Sequence, residues 1–237
     1  MKRKIFGALV CALLFATLTS FAQTPPAGSF RFRNIDVPGA QSTIAEGIND
    51  LGQVAGFYRD SAKVVHGFVQ DGDDIRIIEF PNAKKTFPLT INNSGTVAGG
   101  YSDGTRIHGF ILNHGAFATI DFPGGIFTEI VDVNSRGDIA GTYEDANFGF
   151  HGFTLDENGF TSIDDPAQTW PAPSTEVLGI NDRKTLSGVF LDTNHNIHSF
   201  RLSRGVFQPN DVPGAVSTAL EGLNDAGKMV GFYIRSG

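Results

Sequence analysis

Ile48-Asn49-Asp50-Leu51-Gly52-Gln53-Val54-Ala55-Gly56-Phe57-Tyr58 decides the fold, because the chain keeps returning to it. Its head recurs as Ile91-Asn92-Asn93-Ser94-Gly95, Val133-Asn134-Ser135-Arg136-Gly137, Ile180-Asn181-Asp182 and Leu223-Asn224-Asp225-Ala226-Gly227, with asparagines 43, 42, 47 and 43 residues apart. A period in this range marks a solenoid, a propeller or another array of identical supersecondary units.

Other positions hold the same register. Pro38, Pro81, Pro123, Pro166 and Pro213 each follow an acidic residue by two, as in Asp36-Val37-Pro38-Gly39 and Asp121-Phe122-Pro123-Gly124. Thr43, Thr86, Thr128, Thr175 and Thr218 recur in every copy, as do Gly56, Gly99, Gly141, Gly188 and Gly231. Tyr58, Tyr101, Tyr143 and Tyr233 share one position, taken by Phe190 in the fourth copy. His66, His108, His151 and His198 share another, each two residues before a Phe.

Within one copy the alternation of apolar and polar residues gives four short strands and no helical period. The first strand ends at Ile48, where Asn-Asp-x-Gly makes a type I turn with the glycine in the left-handed position. The second is Val54 to Tyr58. A polar turn from Asp60 leads to the third, His66 to Val69. A tight turn, Asp71-Gly72 here and Asn158-Gly159 in the third copy, leads to the fourth, Ile75 to Phe80. The Pro-Gly segment is the longest connection, with Pro second and Gly third in a type II turn. An antiparallel meander with one longer link to the next copy is the plan of a propeller blade running from inner to outer strand. The reading is therefore an all-β, β-propeller-like fold of about five blades, mostly of four antiparallel strands, with the last blade incomplete. The third strand appears only four times. Phe30 to Ile35 resembles an outer strand, and is expected to pair with the blade containing Leu220 to Ile234 and close the ring.

Three segments follow: residues 1–22, 23–29 and 30–237. The first carries Lys2, Arg3 and Lys4 before an apolar run from Ile5 to Leu18, with small residues Ser20 and Ala22 ahead of Gln23, the pattern of a secretory signal peptide. The second is a short linker and the third a single repeat domain. The expected location is extracellular, or periplasmic. The one cysteine, Cys11, lies in the first segment, so no disulfide is expected and core burial must supply the stability. With three of the 18 basic residues in the signal and all 25 acidic ones beyond it, the chain from Gln23 carries a net charge of −10. That charge argues against nucleic acid and anionic membrane as partners, and no later segment is apolar enough for a span.

Asn-Asp-x-Gly-x-Val-x-Gly-x-Tyr, then His-Gly-Phe, then Phe-x-x-Ile-Asp-x-Pro-Gly resembles the HAF-repeat family of bacterial extracellular repeat proteins. The match runs from Phe30 to Tyr233, with Gly67, Gly109, Gly152 and Ser199 in place of the alanine of the family triplet and Lys184 where the fourth turn would carry glycine. The resemblance implies export and a β repeat array, and it transfers no catalytic residue.

Three constellations carry chemistry. Four equivalent histidines suggest metal ligation, but equivalent residues on a third strand are too far apart, so each imidazole is read as a strut to a neighbouring strand or carbonyl. Asp60, Asp103, Asp145 and Asp192 offer one recurring acid per copy, too few oxygens for calcium, and read as Asx-turn residues. Acids that break the repeat, Asp132 together with Glu129 and Glu176 at one shared position, are the candidates for a polysaccharide-acting hydrolase or lyase. The glycine of the second strand is expected to admit a neighbouring backbone or ring, the flanking Tyr or Phe being the expected occupant. The reading adopted is a secreted binding or scaffold module with no catalytic, cofactor or metal residues. A surface glycan or another extracellular protein is its expected partner.

Overall fold

The computed structural model describes residues 32–168 and 174–235. The expected signal segment 1–22, the expected linker 23–29 and Phe30 lie outside the described residues. Residues 1–35 and 36–237 form separate units.

The larger unit is a series of antiparallel meanders. The first blade is β1 (Ser42–Ile48), β2 (Val54–Arg59), β3 (Val65–Asp71) and β4 (Asp74–Ile78), paired in that order. The second is β5 (Lys85–Ile91), β6 (Val97–Ser102), β7 (Ile107–Asn113) and β8 (Ala116–Ile120). The third is β9 (Phe127–Val133), β10 (Ile139–Glu144), β11 (Phe150–Asp156) and β12 (Gly159–Ile163). The fourth is β13 (Glu176–Ile180), β14 (Leu186–Leu191), β15 (Ile197–Ser203) and β16 (Val206–Pro209). The fifth has two described strands, β17 (Ser217–Leu223) and β18 (Met229–Ile234). The first strand of each blade neighbours the first strand of the next, and each packs on the middle strands of the blade before it. Four-stranded meanders stacked face to face, with their first strands side by side, make this a β-propeller-like array of about five blades.

Turn chemistry fixes each meander. Asn49 accepts from Gly52 N at 3.0 Å, and Gly52, Gly95, Gly137 and Gly227 sit at φ 77 to 86°. In the fourth copy Lys184 takes the same left-handed position at φ 56°, so the hairpin survives without glycine. The links turn as expected, Ala40 N donating to Val37 O at 3.1 Å across Pro38-Gly39. In every copy the recurring threonine locks the link: Thr43, Thr86, Thr128, Thr175 and Thr218 each accept through Oγ1 a backbone N–H from the residue before the link proline, at 2.9 to 3.1 Å. The fourth such bond spans ten residues where the others span six, which accounts for the 47-residue spacing.

The glycine of the second strand faces a bulge. Every first strand slips register by one residue there, as between Ala45 and Gly47 in β1 and between Leu220 and Gly222 in β17. A Cβ on Gly56, Gly99, Gly141, Gly188 or Gly231 would overlap the carbonyl of Ile44, Phe87, Glu129, Glu176 or Ala219 respectively. The close neighbour is therefore inner-strand backbone, joined by the Phe153 and Phe200 rings at Gly141 and Gly188, and not the flanking Tyr or Phe expected from sequence. The core lies between adjacent sheets, with Phe68, Phe110, Phe153 and Phe200 at 0% exposure.

The recurring asparagine ties blade to blade. Each Oδ1 accepts backbone N–H groups of its own turn, Leu51 and Gln53 for Asn49, at 3.1 and 3.0 Å. Each Nδ2 then donates to the carbonyl of the next asparagine: Asn49 to Asn92 at 3.0 Å, Asn92 to Asn134 at 2.9 Å, Asn134 to Asn181 at 3.2 Å, Asn181 to Asn224 at 3.2 Å.

Among the described residues the expected closing strand is not found. Residues 32–37 carry no strand, and the fifth sheet has two strands among the described residues. An outer strand pairs only with a third strand in this fold, as β4 does with β3, and the fifth blade has no described third strand to receive one. The end faces are correspondingly uncovered: Ile48 is 71% exposed where its equivalents Ile91 and Ile180 are 5% and 4%, and Val230 is 69% exposed where Ala98 is 0%.

The ladder makes a graded prediction. Asn134→Ala removes the acceptor for two part-buried turn amides and a buried inter-blade donor, and should destabilise the chain by about 2–4 kcal/mol in denaturant unfolding. Asn224→Ala, at an exposed position with no onward acceptor among the described residues, should cost about 1 kcal/mol or less. Equal losses would contradict the ladder.

Candidate functional site

The histidines act as struts within each blade, but their partners are carboxylates and not the backbone carbonyls expected. Among the described residues no group of three or more ligating side chains is disposed to hold a metal. Each imidazole is clamped between two carboxylates. Nδ1 meets the acid of the link, Glu79 for His66 at 2.7 Å, Asp121 for His108 at 2.8 Å, Asp164 for His151 at 2.7 Å and Asp211 for His198 at 2.7 Å. Nε2 faces the turn aspartate, Asp60, Asp103, Asp145 or Asp192, at 3.3 to 3.6 Å. The preceding aromatic stacks on the ring, Tyr143 on His151 with centroids 4.8 Å apart. For His151 the bond to Asp164 outweighs burial and raises its pKa; for His66 and His198 burial opposes the carboxylates and is overcome. The turn aspartates also cap their own turns, Asp60 Oδ1 accepting from Val64 N at 2.8 Å, which is the Asx role expected of them. The recurring His, Asp and link acid form one structural clamp per complete blade.

The repeat-breaking acids separate into two kinds. Asp132 is a clamp between blades: it accepts from Thr90 Oγ1 at 3.1 Å, Ile180 N at 2.9 Å and Val133 N at 2.8 Å. Burial raises its pKa against those bonds. Glu129 and Glu176 do converge, on the neighbouring inner strands β9 and β13, and Glu46 and Glu221, on the bulges of β1 and β17, complete the cluster electrostatically. Burial, and then repulsion from Glu46, pushes Glu129 up to about 8. Burial, and then repulsion from Glu129 and Glu221, does the same to Glu176, which is 5% exposed. Sequence reasoning missed Glu46 and Glu221, whose signal was an acid at the bulge position in two copies.

A second feature lies between the first and second blades. A groove of about 300 Å³ is lined by Val64, His66, Glu79, Phe80, Asn82 and Lys84 among others. The position of Val64, two before the clamp histidine, is Arg106 in the second copy. There the guanidinium occupies the corresponding space, bonding Gly125 O at 3.1 Å, Asp121 Oδ2 at 2.9 Å and His108 Nε2 at 3.3 Å. Valine leaves that space open in the first copy.

No family model and no curated protein matches the chain. Solved structures similar to it include a variant of AofleA from Arthrobotrys oligospora, at 14% identity and TM-score 0.49 over 72% of this chain and 58% of that one. SapL1 lectin, in complex with alpha methyl fucoside, is similar at 9% identity and TM-score 0.48 over 81% of this chain and 72% of that one. An Aleuria aurantia lectin variant is similar at 11% identity and TM-score 0.47, over 80% and 71%. The chain thus spans 58% of the length of the AofleA variant, and the fold assignment rests on its own sheet topology.

The carboxyl cluster makes a prediction with a defined sign. The folded state keeps a proton on Glu176 that the unfolded chain, at its ordinary 4.5, has lost, so the site drains stability as pH rises from about 4.5 to 8. Glu176→Gln should therefore flatten the pH profile of stability over that window and raise stability at pH 8 by about 1–2 kcal/mol. A variant less stable than the parent at pH 8 would show that the carboxylate does structural work.

Proposed function

We propose that this chain is an exported, propeller-type binding module that holds a polar saccharide in the groove between its first and second blades. The observation that carries the reading is the groove opened by Val64, whose volume falls at the lower end of the range of small-ligand sites and whose wall mixes one aromatic with polar groups. The recurring polar side chains support binding over chemistry, since Asn, Thr, His and the turn Asp are all occupied within the scaffold. Export, and membership of the HAF-repeat family, belong to the same proposal and draw on the charged start, the apolar run to Leu18 and the repeat motifs.

Val64→Arg tests it, because it installs the side chain that fills the equivalent space in the second copy. On a glycan array beside a reducing-sugar assay with the same polymers, the parent should bind without turnover. The variant should lose at least tenfold in affinity while keeping its melting temperature. Turnover of a polymer abolished by Glu176→Gln would replace this reading with a hydrolase or lyase.

A further inference from the structure

The groove departs from the repeat at several positions at once, and the departures share a chemistry. The link lining it reads Pro81-Asn82-Ala83-Lys84-Lys85, against Pro38-Gly39-Ala40-Gln41-Ser42, Pro123-Gly124-Gly125-Ile126-Phe127 and Pro213-Gly214-Ala215-Val216-Ser217. Only this link brings two cations, and all five of its residues line the groove. It also places an asparagine at φ 64° where the other three have glycine at φ 76 to 84°, accepting left-handed strain to present a side-chain amide there. Opposite stands Val64, at a position the repeat does not hold, occupied by Arg106, Gly149 and Asn196 in the other copies; only the second copy fills the space with a guanidinium.

The charges on this wall are not used by the fold. Neither Lys84 nor Lys85 places its ammonium on a carboxylate among the described residues, and both are exposed. The nearby acids are engaged: Glu79 accepts from or shares a proton with His66 Nδ1 at 2.7 Å, and Asp60 with His66 Nε2 at 3.3 Å. Burial opposes protonation of His66, but those two carboxylates prevail and raise its pKa. Two lysines thus stand exposed on one wall of the groove, in a chain whose formal net charge is −7.

Resting on the reading of the groove as a saccharide site, we infer that its occupant is an anionic saccharide, with a carboxylate or sulfate set against Lys84 and Lys85 and the Asn82 amide available to a neighbouring hydroxyl. Lysine supplies a point charge rather than a planar fork, which suits an acid group carried on a sugar ring that binds chiefly through its hydroxyls. The large neutral remainder of such a ligand is what a groove with Phe80 and Val64 in its lining can cover.

Isothermal titration of the full chain separates the two levels of the claim. The probes are trigalacturonate, its methyl ester, a sulfated disaccharide and inorganic sulfate. One of the two anionic saccharides should bind. The methyl ester should bind at least tenfold more weakly than trigalacturonate if the carboxylate is the recognised group, and Lys84→Gln/Lys85→Gln should lose at least tenfold for the anionic ligand. Equal binding of acid and ester, or an unaffected double variant, would overturn the anionic assignment; if Val64→Arg still abolishes that binding, the groove as a saccharide site survives. Inorganic sulfate binding as tightly as the saccharides would reduce the site to an anion patch and overturn the inference. Failure of all saccharides with a silent Val64→Arg would remove both.

Discussion

The amide of one asparagine per repeat is the constraint on which the rest of the structure depends. A sheet of four short strands has two faces and cannot bury both alone, so a blade is stable only in register with its neighbours. Asn49, Asn92, Asn134 and Asn181 enforce that register by spending both ends of one planar group: the oxygen closes the blade's own turn and the nitrogen reaches the next blade's backbone. The first four are 4 to 9% exposed, so a broken bond would leave a buried donor without a partner. A glutamine would be a methylene too long for this double role, and an aspartate would lack the donor.

Two further devices act at other radii. Threonine pins the link between blades near the inner strand, and the Asp–His–acid clamp with its stacked aromatic ties the third strand to the turn and to the outgoing link. Tyr233 has no third-strand histidine beside it among the described residues; it is 48% exposed and takes Arg235 over its ring at 5.1 Å instead. With so many recurring polar groups committed to the scaffold, function must reside in departures from the repeat. They gather in two places: carboxyls on the inner strands, where burial raises the pKa of Glu129, Glu176 and Glu221, and the groove beside Val64.

Features closed by short-range chemistry were legible in the sequence. The Asn-Asp-x-Gly hairpin, the Pro-Gly turn and the four-strand meander each follow from a few adjacent residues, and even Lys184 conformed because a two-sided hydrogen-bond pattern over-determines its turn. The partner of each histidine was not legible, although the link acid was itself a recurring residue, because the two are 13 positions apart and meet only when the outer strand folds back. The glycine's neighbour was misassigned for a related reason: the bulge that brings a carbonyl over it belongs to another strand. Phe30 to Ile35 has the pattern of an outer strand, but pattern alone does not supply the third strand that an outer strand must pair with. The convergence of Glu46, Glu129, Glu176 and Glu221 depends on which strands are innermost, and the groove on a comparison between copies at one non-recurring position, Val64 against Arg106.

The most direct test of the account is the exchange rate of the asparagine side-chain amides, measured by NMR on uniformly labelled protein. If the ladder couples the blades, the Nδ2 protons of Asn49, Asn92, Asn134 and Asn181 exchange slowly, with protection approaching that of the core strands, while those of exposed Asn224 exchange at nearly the free rate. Uniformly fast exchange at all five would mean that the blades are held by apolar packing alone, and the ladder would lose its place in this account.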